Sequence, residues 1–163
     1  MAAKKRSVGL LVVSRFPDEG VAAVLWRRPS TDSFPRACQV TCHGRIEEGE
    51  SVFDALRREA FEELGERAAK QILPSNLEGL TLLTQKSDER EDAVTYGIFV
   101  QDPSFWDSLE PEVPGGQFLR RPLVDIDTIR ELTPADKKQE VIAMHADEKE
   151  AVHRASEEFL PPV

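Results

Sequence analysis

Residues 44–66 read Gly44-Arg45-Ile46-Glu47-Glu48-Gly49-Glu50-Ser51-Val52-Phe53-Asp54-Ala55-Leu56-Arg57-Arg58-Glu59-Ala60-Phe61-Glu62-Glu63-Leu64-Gly65-Glu66. A polar, glycine-punctuated loop leads into a helix. Ser51 with Asp54 three residues later is a helix-start signal, and Gly65 is a helix stop. At about 100° per residue, Glu59, Glu62 and Glu63 share one ridge of that helix. Leu56, Ala60, Phe53 and Leu64 form the neighbouring stripe, which is expected to be buried. The acids therefore border the core face.

Three like charges at i, i+3 and i+4 repel one another and destabilise a bare helix. The stretch holds eight acids against three bases, over half of the chain's net charge of −9. Something cationic should compensate. Arg58 can pair with Glu62 or reach back to Glu50. Hard divalent ions such as Mg²⁺ or Mn²⁺ prefer carboxylate oxygens and share their coordination sphere with phosphates. An acidic helix face is also commonly a solvated surface, and on spacing alone both readings stand.

The whole pattern resembles the signature box of the Nudix hydrolases, with Gly44, Glu50, Arg58, Glu59, Glu62, Glu63 and Gly65 at its fixed positions. It departs at Glu66, where the family has an aliphatic residue, and at His43, where many members have glycine. The resemblance implies an α/β/α sandwich with a central mixed β-sheet. It implies metal-dependent hydrolysis of a nucleoside diphosphate linked to another moiety: a nucleotide sugar, a dinucleoside polyphosphate or a nucleoside triphosphate. It also implies Glu59, Glu62 and Glu63 as metal ligands, with the backbone at Gly44. Arg58 would orient a glutamate, with Glu50 in support. The general base is left open among Glu59, Glu62 and the acids Asp88, Glu89, Glu91 and Asp92, which otherwise read as a charged turn. Arg27 and Arg28 would hold substrate phosphates or be strand-end surface charge. Leu80–Leu83, where some subfamilies carry a proline or tyrosine, has neither. Two other classes stay open: a catalytically silent nucleotide-binding or regulatory module, and an isopentenyl diphosphate isomerase on the same fold.

Outward from the box, apolar β-favouring runs predict strands over Ser7–Ser14 and Val21–Arg28, joined by a turn at Pro17–Gly20. A loop follows to Pro35, then a strand over Ala37–His43. Cys38 and Cys42 on that strand would face the same side about 13 Å apart, too far for a disulfide. Leu80–Lys86 and Ala93–Gln101 read as strands. Asp102–Gly116 reads as a long loop with a short helix near Phe105, and Gln117–Arg121 as strand. Thr133-Pro134-Ala135-Asp136 is a second capping signal, opening a helix expected to run from about 134 to 159. Its apolar stripe of Val141, Met144, Val152, Ala155 and Phe159 is interrupted by Glu148. Trp26, Phe34, Tyr96 and Trp106 read as packing residues, and His145 and His153 as helix surface.

The 163 residues are expected to form one domain, as monomer or homodimer. A net charge of −9 lacks the basic footprint of a protein that binds long nucleic acids. The longest apolar run is far short of the roughly 20 residues of a membrane span. No signal peptide is evident, and a cytoplasmic location is expected.

Overall fold

The computed structural model describes residues 4–29, 37–75, 77–132 and 143–160. Strand β1 (Lys5–Phe16) buries Val8, Leu10 and Val12 toward one face and Leu11 and Val13 toward the other. An apolar run without alternation is what a strand covered on both faces requires. Strand β2 (Gly20–Arg27) returns antiparallel, pairing Val12 with Val24 and Phe16 with Gly20.

Residues 37–45 do not form the single strand expected over Ala37–His43. They divide into β3 (Cys38–Gln39), which pairs with β2, and β4 (Cys42–Arg45), which pairs with β1. The cause is Thr41, buried where β1 and β2 diverge. Its Oγ1 accepts the Val12 amide at 2.8 Å and donates to the Val24 carbonyl at 2.6 Å. One side chain thus joins the two arms of the fork, and the chain crosses from one arm to the other. Cys38 and Cys42 consequently pack in opposite core layers, not on one side, and both are free thiols.

Helix α1 (Val52–Leu64) is capped by Ser51, whose Oγ accepts the Asp54 amide at 3.1 Å. Leu56, Ala60 and Leu64 are buried as expected, whereas Phe53 is 43% exposed. It sits in the first turn, at the margin of the layer, with its ring 5.7 Å from Tyr96. Gly65, at φ 89°, ends α1 and opens a second helix, α2 (Glu66–Ile72), which the sequence did not announce. Ala68, Ala69 and Ile72 of α2 are buried in the same layer as Leu56 and Leu64.

Strand β5 (Thr81–Ser87) and strand β6 (Glu91–Val100) form a tight antiparallel hairpin. β6 runs parallel to β1, with Leu10 opposite Tyr96. A 3₁₀ turn over Pro103–Ser108 buries Phe105, and strand β7 (Gln117–Pro122) pairs with the outer edge of β2. The seven strands make one mixed sheet, because β1 is antiparallel to β2 and β4 but parallel to β6.

Strands β8 (Arg130–Glu131) and β9 (Ala143–Met144) form a short parallel bridge, followed by helix α3 (Ala146–Phe159). The helix expected from about 134 therefore starts later. Ala143 and Met144 are fully buried in extended conformation, and their pairing with β8 excludes a helix there. The capping signal at 133–136 and Val141 lie outside the described residues, as does Phe34. Ala151, Val152 and Ala155 of α3 pack on Leu11, Val13 and Leu25. The sheet is thus covered by α1 and α2 on one face and α3 on the other, an α/β/α sandwich. Among the described residues no helix is long and apolar enough to cross a membrane.

Candidate active site

The acidic ridge of α1 faces the end of β4, and the fit between them depends on a missing side chain. A Cβ on Gly44 would fall 1.9 Å from the Glu59 carboxyl carbon. Only glycine lets the Glu59 carboxylate lie against that backbone. One residue earlier, the His43 amide donates to Glu63 Oε2 at 2.9 Å. β4 therefore holds two acids of the ridge, one by close approach and one by a hydrogen bond.

Arg58 organises the rest. Its Nε and Nη2 donate to the two oxygens of Glu50 at 2.8 and 3.0 Å, and Nη2 also donates to the Arg45 carbonyl at 2.8 Å. Its Nη1 donates to Glu59 Oε1 at 2.8 Å and more distantly, at 3.5 Å, to Glu62 Oε2. Both partners expected for Arg58 are met, and the Glu50 contact is the closer. Glu50 Oε1 also accepts the Glu47 amide at 2.9 Å, which closes the loop on itself. The bonds from Arg58 and the Glu47 amide hold the Glu50 carboxyl down at about 2, and Glu50, followed by Glu59, holds the Arg58 guanidinium above its ordinary range.

The ridge itself is undercompensated. Burial is the main cause that pushes Glu63 up to about 7, with the charges of Glu59, Glu112 and Glu62 adding to it against the His43 amide. Burial likewise raises Glu59, with Arg58 opposing and Glu62 and Glu112 reinforcing. Glu112 comes from the loop before β7. That loop is docked on α1 by the Glu110 amide, which donates to the Leu64 carbonyl at 2.9 Å. Glu112 and Glu63 line one small cavity together with Trp26, Cys42, His43 and Phe118. No sequence signal announced Glu112, because its only relation to the ridge is through this loop.

Among the described residues, no three His, Cys, Asp or Glu side chains already converge as a cage for a metal ion. Glu59 Oε1 is turned to Arg58 and Glu63 Oε2 to the His43 amide. Each carboxylate keeps a second oxygen. Hard oxygen donors in excess over local cations are the chemistry that suits Mg²⁺ or Mn²⁺, so the residues present fit such an ion.

The other expected residues lie around this centre. Arg28 lines a second, larger cavity together with His43 and Glu91. Arg27 stands opposite the buried Cys38 in the β2–β3 pair, and its Nε is buried without a hydrogen-bond partner. Glu89 stands at the β5–β6 turn, whose Asp88 accepts the Arg90 and Glu91 amides. Glu91 and Asp92 belong to β6 rather than to a loop, and Glu91 is 3.2 Å from Lys86. Glu66 pairs with Lys70 at 2.8 Å on the exposed side of α2. Trp26 packs on Phe118 and Trp106 on Phe16, with the Arg120 guanidinium 4.8 Å from both the Phe16 and Trp106 rings.

The chain matches the family model described as NUDIX domain over residues 3–143. No curated protein matches it. Among solved structures it is similar to the NUDIX domain of Shewanella oneidensis NrtR, crystallised with ADP ribose. That match has 14% identity and a TM-score of 0.64, and covers 98% of this chain and 90% of that one. A Caenorhabditis elegans Ap4A hydrolase is similar at 13% identity and TM-score 0.59, over 95% of this chain and 97% of that one. A structure from work on MutT of Aliivibrio salmonicida and Vibrio cholerae is similar at 15% identity and TM-score 0.54, covering 77% and 85%.

Proposed function

The chain belongs to the NUDIX domain family, and on that footing we propose that it hydrolyses the diphosphate bond of a nucleoside diphosphate linked to another moiety, with a divalent metal ion. One observation carries this reading. Glu59, Glu62 and Glu63 share a face of α1 against β4, with Glu112 brought beside them, and among the described residues they outnumber Arg58, the arginine that serves them. A solvated acidic face would not press Glu59 into a space that only a glycine leaves open. The ADP ribose bound to one similar structure agrees with a nucleotide-type substrate.

Glu59, Glu62 and Glu63 would hold the metal, together with the backbone at Gly44. The chemistry such an ion would supply there is neutralisation of phosphate charge and a lowered pKa for water beside it. The chain's own residues do the remainder. Arg58 fixes the Glu59 carboxylate and is itself fixed by Glu50 and the Arg45 carbonyl, which pre-positions the ridge. The His43 amide holds Glu63. Glu62, half exposed, and Glu112 are the acids we place to accept the proton of the attacking water; Glu89 stands at the β5–β6 turn, and Glu91 lines the larger cavity with His43. Arg28 faces the space beside His43 and would meet substrate phosphates, with Arg27 behind it against Cys38.

The test is phosphate-bond cleavage by the purified chain in millimolar Mg²⁺ over nucleotide sugars, dinucleoside polyphosphates and nucleoside triphosphates. Cleavage that stops with chelator is expected. Full activity in excess chelator would remove the metal, and tight binding with no cleavage of any member would make the chain a silent nucleotide-binding module.

A further inference from the structure

A cavity of about 580 Å³ lies on the α3 side of the sheet. His43, Gln39 and Val40 line both this cavity and the smaller one that contains Glu63 and Glu112, so its contents abut the carboxylate ridge. Arg28 enters it from just past the end of β2, and Glu148 from the first turn of α3.

Glu148 reaches across this space to a distant part of the chain. Its Oε1 accepts the Val40 amide at 3.1 Å. Val40 lies between β3 and β4, beside the Thr41 joint, on the arm that leads to His43 and Gly44. The β8–β9 bridge sets where α3 begins, and so which residue of its first turn meets that arm. A single amide does not account for a carboxylate, however. Glutamine would serve that amide without the cost of burying a charge. Burial pushes Glu148 up to about 7, opposed by the Val40 amide and then by the charge of Arg28, with Asp147 adding to the burial. Arg28 is thus the cation that acts on Glu148.

The other acids of the cavity are engaged elsewhere. Lys86 lies 3.2 Å from Glu91 and 3.3 Å from Asp147, and Arg154 lies 3.8 Å from Glu150. Arg28 has its backbone fixed, its amide donating to the Ala37 carbonyl at 3.0 Å. Its long side chain still has many rotamers, and gripping an anion costs the entropy of selecting one. A carboxylate that orients the guanidinium before the anion arrives removes that cost.

We propose that Glu148 is a positioning residue. It orients the Arg28 guanidinium in the cavity and ties the Val40–His43 arm to α3, so that Arg28 meets the anionic part of the substrate in one fixed direction beside the ridge. This rests on the hydrolase reading above, in which Arg28 contacts substrate phosphate.

The experiment uses the full chain at about pH 8, where Glu148 is ionised. Carbon-detected NMR of the Arg28 guanidinium, assigned by its loss in Arg28→Lys, reads rotation about the Nε–Cζ bond. The wild type should show two resolved Nη signals. Glu148→Gln keeps an oxygen for the Val40 amide and removes the charge, and should merge them into one. In Mg²⁺, with whichever member of the nucleotide panel is cleaved, the same variant should raise KM about tenfold and leave kcat within twofold. Glu150→Gln, on the rim of the same cavity, should leave the spectrum unchanged and both constants within twofold. Glu148→Asp, charged but one methylene short, should show the same merged signal and serves if Glu148→Gln fails to fold. Resolved Nη signals or wild-type KM in Glu148→Gln would reduce Glu148 to a structural tie for Val40 and overturn the proposal. So would signals that merge only in Glu91→Gln. If no member of the panel is cleaved, the hydrolase reading falls, and the guanidinium spectrum still decides whether Glu148 orients Arg28.

Discussion

Glu63 and Gly44 are the residues on which the active-site reading is most exposed to test. Glu63→Gln keeps a comparable helix former and a comparable shape. It removes the charge that the proposed metal needs, and kcat should fall by roughly 10²–10³-fold, the scale of losing one fixed electrostatic partner at a transition state. The melting temperature of the metal-free protein should hold or rise, because one of several mutually repelling, partly buried carboxylates is gone. Glu48→Gln, on the exposed loop, should leave rate and stability within about half a kcal/mol. Equal activity of the two variants would make the ridge a solvated surface.

Gly44→Ala tests the same site sterically. Its Cβ would overlap the Glu59 carboxyl at 1.9 Å, so overpacking of about 1–3 kcal/mol is expected in urea unfolding, together with loss of activity. Glu59→Ala in the same chain should restore the stability but not the activity. A double variant no more stable than Gly44→Ala alone would show that the glycine serves something other than Glu59. The box was legible at this scale because all its fixed positions lie within one short stretch, where spacing and helical periodicity translate directly into shared direction. Glu112 and Glu148 were not legible. Each acquires its neighbours only through a docked loop or a packed helix.

At the scale of elements, the fork between β1 and β2 holds the site in place, since β4 carries His43 and Gly44 and exists only because the chain turns at Thr41. Thr41→Val removes the hydroxyl but little volume. It leaves the buried Val12 amide and Val24 carbonyl without this partner, at about 1–3 kcal/mol for each group left unsatisfied. Its unfolding midpoint should drop accordingly, while Thr41→Ser should stay closer to wild type. If Val and Ser behave alike, the hydroxyl is not the joint. The strand expected over Ala37–His43 was correct in its residue types and wrong in continuity. Propensity reports that a segment is extended; it does not report which of two diverging strands each half will pair with. The C-terminal helix shows the same limit. Pro134 and its neighbours form a valid capping signal, yet Ala143 and Met144 are drawn into strand pairing with β8 before α3 begins.

For the whole molecule, the acids held farthest from their ordinary range shape a pH profile. Glu50 is held down at about 2 by Arg58 and the Glu47 amide, so its contribution is present above 4.5 and is lost as pH falls toward 2. Glu63 and Glu148 are both raised from 4.5 to about 7, chiefly by burial. Between those values the folded chain holds protons that the unfolded chain has released, so stability falls as pH rises through that window. The metal-free protein should therefore lose stability to denaturant between about pH 5 and 7.5. Millimolar Mg²⁺ should reverse part of the loss, and its stabilising effect should grow with pH, because binding displaces the proton from the ridge. Melting curves at several pH values, with and without Mg²⁺, check the sign. A Mg²⁺ effect that shrinks as pH rises would contradict a carboxylate metal site.

What the sequence determined by itself was local: the cap at Ser51, the shared ridge of Glu59, Glu62 and Glu63, the apolar stripe of Leu56, Ala60 and Leu64, and the strands whose residues are buried on both faces. These follow from spacing along one element, where backbone geometry alone sets direction. Tertiary structure decided the rest: the split at Thr41, the opposite burial of Cys38 and Cys42, the late start of α3, and the arrival of Glu112 beside the ridge and of Glu148 in the cavity. Those outcomes depend on which buried backbone and side-chain groups find partners across distant parts of the chain. Only the folded arrangement of the sheet brings those parts together.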